Sequence, residues 1–210
     1  MSASNYLEDA ILNHVFGTQA YAAPTIHVGL STADPGEDGA GADEPVGGAY
    51  DRLATAPSDW NASAGGMVSN AVDLTFAEAS AGWGVITHFA LFDKGIGSHA
   101  VSGVVTGGAG SGAFIVSGDI TSELQEGALL RVHGSTGNDA LYTVRAGSSY
   151  DGGADETTVH VEEAVGDSTA DGTLQTLGNL LLSGTLQSSK EIESGDTAKF
   201  SANDLEITAD

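Results

Sequence analysis

The chain has 210 residues, 40% of them apolar, which fits one large folded domain or two small ones. Six Lys and Arg residues stand against 29 Asp and Glu residues, so the formal net charge at pH 7 is −23. Binding to nucleic acid or to an anionic membrane surface needs a basic surface, and this composition excludes it. The absence of cysteine excludes disulfides and thiolate metal sites.

No stretch reaches the roughly 20 apolar residues of a membrane-spanning helix, so we expect no membrane insertion. The first nine residues carry two acids and no Lys or Arg, a pattern that does not fit a signal peptide. A folded chain of this charge repels itself unless salt screens its surface. We therefore expect a halophilic protein, and equal stability at low and at molar salt would contradict that expectation.

The first predicted element is a short N-terminal helix over residues 5–16. Asn5 is its predicted N-cap and Gly17 its predicted end. We expect this helix to cover the sheet or to contact a neighbouring subunit. Its side chains recur at helical spacing on one face, and they are Tyr6, Leu7, Ala10, Ile11, His14 and Val15.

The remainder of the chain has short apolar runs separated by Gly, Asp, Asn and Ser, a pattern typical of an all-β fold. Strand 84–93 is apolar on both faces, so it is predicted to be central. A Gly-rich stretch at 103–112 is predicted to be a flexible hinge. The other predicted strands are 25–31, 50–54, 73–76, 113–117, 128–133, 140–146, 157–162, 179–186 and 199–208.

These patterns predict two parts. Residues 1–96 and 175–210 form a discontinuous β-sandwich base, jelly-roll-like in the looser sense. Residues 97–174 form a small β-barrel or meander inserted at a loop tip, where insertions are well tolerated.

Short motifs in the base include TIHVGLS (25–31), GGAYDR (47–52), WGVITHF (83–89) and GNLL (178–181). In this order and spacing they resemble a family of tailed-virus virion proteins, of phages or haloarchaeal viruses, that act in tail fibres or head decoration. The inserted part carries FIVSGD (114–119), GSTGND (134–139) and ADG (170–172). It resembles a small β module of phage structural proteins. The resemblance implies a structural role in the virion and no assigned catalysis.

Enzyme signatures are weak in this sequence. The run at 108–113 fits G-x-G-x-x-A, but a strand-like segment follows it, whereas a dinucleotide site needs a helix there. The sequence has no P-loop and no G-x-S-x-G nucleophile motif. We therefore expect no catalytic or cofactor-binding residues. Paired carboxylates leave a surface-acting glycoside hydrolase as a second alternative.

Two further sets of residues are candidates for binding. Acidic loops give weak candidates for calcium, because hard cations prefer converging carboxylates. The N-terminal helix and the two tryptophans are the predicted interface, although the tryptophans also suit the sandwich core. The calcium candidates are Asp34, Glu37, Asp38, Asp151 and Asp155, and the interface candidates are Tyr6, Leu7, Ile11, Trp60 and Trp83.

The sequence therefore predicts a non-enzymatic virion structural protein, foremost a capsid decoration or turret protein that projects its acidic β module outward. The first alternative is a tail fibre or spike adhesin that binds a host cell-surface glycan or S-layer. In either case we expect a homo-oligomer, a trimer or pentamer, that contacts major capsid or tail proteins. The expected location is the surface of the virus particle, with assembly in the host cytoplasm.

Overall fold

The computed structural model describes residues 2–208, and within them the fold is all-β apart from one helix, α1 (Asn5–Val15), and two short 3-10 turns. The predicted fold class is confirmed. None of the helices in this part of the chain is long and apolar enough to cross a membrane. The strands are β1 (Ser2–Ala3), β2 (His27–Ser31), β3 (Leu53–Ala54), β4 (Met67–Ser69), β5 (Leu74–Glu78), β6 (Gly84–Phe92), β7 (Gly97–Val105), β8 (Ala113–Ser117), β9 (Leu129–His133), β10 (Ala140–Thr143), β11 (Ser149–Asp151), β12 (Glu156–His160), β13 (Thr173–Thr176), β14 (Leu180–Ile192), β15 (Thr197–Phe200) and β16 (Glu206–Thr208).

The chain packs into two compact units. The first unit contains the chain up to Gly95 and again from Asn179 onward, and the second unit is Ile96–Gly178. The sequence places its inserted domain at 97–174. That this segment folds as an independent domain stays a prediction.

The first unit is built on a five-stranded antiparallel sheet with the order β1-β14-β6-β2-β3. Strand β6 lies in the middle, which confirms its predicted central place. Two separate two-stranded ribbons, β15-β5 and β16-β4, supply further core side chains. The core therefore forms between the sheet and the ribbons, and its buried members include Val28, Leu30, Leu74, Phe76, Ile86, Phe89, Leu181 and Leu205.

The C-terminal part of the first unit differs from the prediction in two places. Strand β14 is longer than the predicted 179–186 and carries an irregularity in register between Thr185 and Lys190. The predicted strand 199–208 is two strands, because a turn with a positive φ at Asn203 interrupts it. The buried Asn70 side chain fixes that turn by donating to Ser201 O (2.7 Å) and accepting from Leu205 N (2.9 Å).

The second unit is a seven-stranded antiparallel sheet with the order β10-β9-β13-β7-β8-β12-β11. It curls until the residues that follow β10 and β12 meet, with a bridge between Val144 and Val161. Its core is rich in β-branched side chains, which suit a pleated, closely packed sheet. The buried members include Val101, Phe114, Val116, Leu130, Val132, Val159, Val165 and Leu174.

The predicted hinge at 103–112 is wrong, because this stretch belongs to the second unit. Its first residues continue β7, and Gly107 then pairs with Val165 through two backbone hydrogen bonds of 3.0 Å. At Gly112 a Cβ atom would lie 2.4 Å from Val165 Cγ2. Glycine is required at this position by a close approach of two segments.

Candidate attachment surface

Helix α1 is joined to the start of β14 by Ser4. The Ser4 hydroxyl accepts a hydrogen bond from Leu7 N (3.1 Å), which makes Ser4 the N-cap, and it donates to Leu180 O. The Ser4 backbone N–H donates to Leu181 O (2.9 Å). The prediction that Asn5 caps the helix is wrong: Asn5 is the first helical residue. Both residues are good caps, and the contact with β14 decides between them.

The helix has a packed half and an exposed half. Tyr6 and Leu7 pack against the core of the first unit. Beyond them the apolar face continues into solvent, and no residue of the helix is fully buried. The exposed fractions are 48% for Ile11, 55% for Leu12, 69% for Val15 and 76% for Phe16.

An apolar groove of about 500 Å³ lies beside the packed half of the helix, with Leu7 in its wall. Trp60 stands in another wall, where its indole N–H donates to Thr55 Oγ1 (3.0 Å) and the Thr55 hydroxyl donates to Ile26 O (2.9 Å). These two bonds fix the Trp60 ring. The lining is completed by Tyr21, Ala23, Pro24, Thr25, Ala56, Pro57, Leu91, Leu181 and Leu182. We call the exposed half of α1 with its C-cap Phe16 (residues 11–16 together) and this groove the attachment surface.

The attachment surface is free of charge in a strongly acidic chain. Residues 10–33 contain no Asp, Glu, Lys or Arg, and none lines the groove. Burial, the neighbouring Tyr6 and then Asp93 raise the pKa of Tyr21, so its phenol is neutral at ordinary pH. The attachment surface itself therefore contributes no carboxylate, Lys or Arg side chain to a contact made there.

The structure brings together four of the five predicted interface residues. Tyr6, Leu7 and Ile11 lie on α1 and Trp60 lines the adjacent groove. Trp83 lies elsewhere: it is 5% exposed and its indole N–H donates to Gly48 O (2.8 Å). Trp83 also packs edge-on against Tyr50, with ring centroids 5.2 Å apart, so it belongs to the core.

Sequence reasoning missed several members of the attachment surface, among them Phe16, Tyr21 and Pro57. They come from separate segments that no local pattern connects. Phe16 and Tyr21 lie within residues 10–33, and the absence of Asp, Glu, Lys and Arg from this run is the sequence signal that could have indicated them.

A buried ion pair, which the sequence did not predict, holds the acidic loop that follows β2. Arg52 donates to both carboxylate oxygens of Glu44, and both side chains are fully buried. The Tyr50 hydroxyl donates to Glu44 Oε1 (2.8 Å), and the Arg52 guanidinium lies 3.3 Å from the Phe92 ring centroid. Burial, reinforced by the Glu44 charge, raises the pKa of Tyr50 well above its ordinary value. A Cβ at Gly29 would lie 2.7 Å from Glu44 Oε1, so the pair also requires glycine in β2.

The calcium candidates act in local turns. Asp34 Oδ1 accepts from Gly36 N, Asp38 Oδ1 from Ala40 N and Asp151 Oδ1 from Gly153 N. Asp155 accepts from the Tyr150 hydroxyl, and Glu37 contributes its backbone carbonyl to Asn5 N. Over residues 2–208 no three or more His, Asp or Glu side chains converge as a metal site would need. Calcium binding stays a prediction.

A second groove, of about 610 Å³, opens beside the register irregularity of β14. Phe200, Lys190 and Lys199 line it, together with Asp204 and Glu206. Lys199 Nζ donates to Asp73 Oδ2 (2.9 Å), whereas Lys190 has no ion-pair partner in the described part of the chain.

The comparison with known families identifies the family of this chain. Residues 2–129, more than half of the chain, match the family described as "Podophage GP4 fiber I protein gp80". The match contains α1, the strands from β1 to β8 and the start of β9, but not β14, which contributes Leu181 and Leu182 to the groove. No curated protein matches the chain. The chain therefore belongs to this family of phage fibre proteins and is a structural, virion-associated protein.

Proposed function

We propose that this protein is a component of a viral tail fibre, held in the virion through its attachment surface. The observation that carries the proposal is the apolar attachment surface, whose residues 11–16 and groove lining contain no Asp, Glu, Lys or Arg, on a chain of net charge −23. Exposed apolar patches bounded by polar surface mark sites of contact with other proteins. Charged residues are depleted at the centre of such contacts.

The second unit is the proposed outward-facing part. Of the ten large apolar side chains that are exposed in the described residues, eight lie in the first unit. The second unit contributes Val105 and Tyr150, at 46% and 37% exposure. A unit with so little exposed apolar surface is suited to face solvent, whereas the first unit is suited to assembly.

The number of copies of this protein per particle distinguishes a position in the tail from a position on the capsid. Quantitative mass spectrometry of purified particles is expected to give a handful of copies per particle. Hundreds of copies would instead support the capsid decoration expected from the sequence. In both positions the protein acts on the particle surface after assembly in the host cytoplasm, as a trimer or pentamer.

Attachment is tested with substitutions in the exposed half of α1. We expect virions assembled with Val15→Glu/Phe16→Glu protein to lose the protein on purification. Val72→Glu is the matched control, because Val72 is also exposed (43%) but lies outside the attachment surface. Normal incorporation of the α1 variant would overturn the proposal.

A second candidate function, adhesion to a cell-surface saccharide, is favoured by the groove at β14. The exposed Lys190 supplies a donor, Asp204 and Glu206 supply acceptors, and Phe200 supplies an aromatic face. Hydroxyl groups of a sugar pair with both donors and acceptors. Particles carrying Lys190→Ala are expected to adsorb more weakly to host cells than particles carrying Glu193→Ala. Equal adsorption would remove this candidate, and cleavage of the saccharide would favour the glycoside hydrolase alternative.

A further inference from the structure

We propose that the second unit carries a binding site for an acidic saccharide, in which the Arg145 guanidinium and the His160 imidazole hold a carboxylate of the sugar. The inference rests on the proposed function in taking the second unit as the outward-facing part, and it adds a ligand to that unit. The site shares no residue with the attachment surface or with the groove at β14.

The two side chains are neighbours where the curled sheet of the second unit meets itself. Val144 and Val161 form the antiparallel bridge there, and Arg145 N donates to His160 O (2.8 Å). Opposite residues of an antiparallel pair have their Cβ atoms about 5 Å apart on one face. Because Val144 and Val161 are buried in the core, the next residues, Arg145 and His160, lie on the outer face.

A tight turn fixes the position of this pair. The Ser148 hydroxyl accepts from His160 N (3.0 Å) and donates to Arg145 O (3.4 Å). The turn passes through Gly147 at φ 98°, where a Cβ atom would lie 3.8 Å from His160 Cδ2. The imidazole therefore lies beside the turn, and the backbone on both sides of the pair is held in place before a ligand binds.

Both side chains have nitrogen atoms that the protein leaves unpaired. Three buried side-chain polar atoms of the described residues lack a hydrogen bond, and two of them are Arg145 Nε and His160 Nδ1. None of the ion pairs found between residues 2 and 208 includes either side chain, although the chain has 29 Asp and Glu against six Lys and Arg. Buried polar groups are nearly always paired, so two unpaired groups at one place indicate a site for a water or a ligand.

The chemistry of the pair selects a carboxylate. The guanidinium presents a planar fork of N–H donors that matches the two oxygens of a carboxylate. When Nδ1 of a neutral imidazole is unprotonated, Nε2 carries the proton and supplies a further donor. The acidic neighbour Glu163 is held by Thr143 instead, since it accepts from Thr143 N (2.7 Å) and Thr143 Oγ1 (2.9 Å).

The net charge of −23 opposes the approach of an anion from a distance, and the exposed Glu162 adds to this repulsion near the site. Salt limits the repulsion to short distances, because the Debye length is about 8 Å at 0.15 M and about 3 Å at 1 M. An anion is therefore held at this place through direct contacts with Arg145 and His160, and the net charge of the chain contributes no attraction.

The surroundings of the pair favour a saccharide over a protein as the carrier of the carboxylate. Thr158 lies two residues before His160 and pairs with Ser149 across β11 and β12, so two hydroxyl groups share the outer face with the imidazole. Within its described residues the second unit exposes two large apolar side chains, Val105 and Tyr150. The centre of a protein contact is apolar, whereas the hydroxyl groups of a sugar pair with polar side chains.

The experiment titrates the full chain with two sugars that differ in one group, and it follows the backbone amide signals by NMR. Methyl β-glucuronoside carries a carboxylate, and methyl β-glucoside has a hydroxymethyl group in its place. In about 0.15 M KCl, the glucuronoside is expected to shift the signals of residues 145–148 and 158–160 with a Kd in the millimolar range. The glucoside is expected to leave these signals in place.

Two matched variants locate the site. Arg145→Lys keeps the positive charge and loses the planar fork, so it is expected to bind the glucuronoside at least about tenfold more weakly. Arg131→Lys makes the same change at the other arginine of the second unit and is expected to bind like the wild type. Both variants retain a long, positively charged side chain, so both are expected to keep the wild-type circular dichroism spectrum.

Four results would overturn the inference. They are the absence of any shift with the glucuronoside, equal binding of the two sugars, unchanged affinity of Arg145→Lys, and tighter binding of an acetylated glutamyl peptide at the same residues. The last result would assign the site to a protein carboxylate. The titration involves no virion, so its failure leaves the proposed attachment standing. Normal incorporation of the Val15→Glu/Phe16→Glu protein would reject that attachment and leave the measured binding standing.

Discussion

The two units of this protein build their cores in different ways. The core of the first unit combines aromatic rings with the buried Glu44–Arg52 pair. The core of the second unit is mostly valine and leucine, and the side-chain contact between His99 and Glu123 (3.0 Å) is partly exposed. One core thus depends on polar groups that must be satisfied together, and the other on the packing of apolar side chains.

This difference shows in how each unit fixes its loops. In the first unit the acidic loop after β2 is held by Glu44, whose partners Tyr50 and Arg52 come later in the chain. In the second unit the buried Asn138 pairs with the Asp167 backbone through both its side-chain groups (2.9 and 3.1 Å). A neutral amide replaces the ion pair, so no charge has to be buried there.

The largest expected loss of unfolding free energy follows from breaking the Glu44–Arg52 ion pair. Arg52→Met leaves Glu44 buried without its cation, and such a loss costs about 3–5 kcal/mol of unfolding free energy. The measurement is urea unfolding followed by tryptophan fluorescence, since Trp60 and Trp83 both lie in the first unit. The double variant Glu44→Gln/Arg52→Met is expected to recover part of the loss. A loss below about 1 kcal/mol would show that the pair contributes no more than a surface ion pair.

The next largest expected loss of stability comes from a substitution in the core of the second unit. Leu130 is fully buried, and Leu130→Ala is expected to cost about 2–5 kcal/mol through lost burial and a cavity. Circular dichroism should detect the weakened unit, while the tryptophan fluorescence transition of the first unit stays in place. Val105→Ala, at a position that is 46% exposed, is the control. A shift of both transitions together would contradict independent folding of the two units.

A smaller effect tests the cap that joins α1 to β14. Ser4→Ala removes the hydrogen bonds to Leu7 N and Leu180 O, and loss of an N-cap costs about 1 kcal/mol. Asn5→Ala, at the residue that the sequence favoured as the cap, is expected to change stability by less than about 0.5 kcal/mol. Urea unfolding followed by tryptophan fluorescence measures both. The reverse order of effects would contradict the assignment of the cap.

The smallest effect concerns the exposed pair of Asp73 and Lys199. The hydrogen bond from Lys199, followed by that from Ala202 N, lowers the pKa of Asp73. A lowered folded-state pKa contributes stability above the unfolded-state pKa, and this contribution is lost as the pH falls through the folded-state value. Asp73→Asn should therefore be slightly less stable than the wild type at pH 7, with the difference shrinking toward pH 2. A difference that is independent of pH would contradict this.

The sequence by itself determined the elements whose pattern is local. Alternating and doubly apolar runs predicted β6, β8 and the all-β class, because side chains on a strand face its two sides in turn. The helix was predicted from its 3.6-residue spacing. The family resemblance came from short motifs, and the match to phage fibre proteins agrees with it.

Only the tertiary structure decided features that join distant segments. It assigned Trp83 to the core and Trp60 to the groove, although the sequence placed both in the predicted interface. It selected Ser4 over Asn5 as the cap, through a contact with β14 more than 170 residues away. It also paired Glu44 with Arg52, at a place where only a glycine at position 29 leaves room for the Glu44 carboxylate. Such choices depend on which segments pack together, and neither local spacing nor composition specifies that.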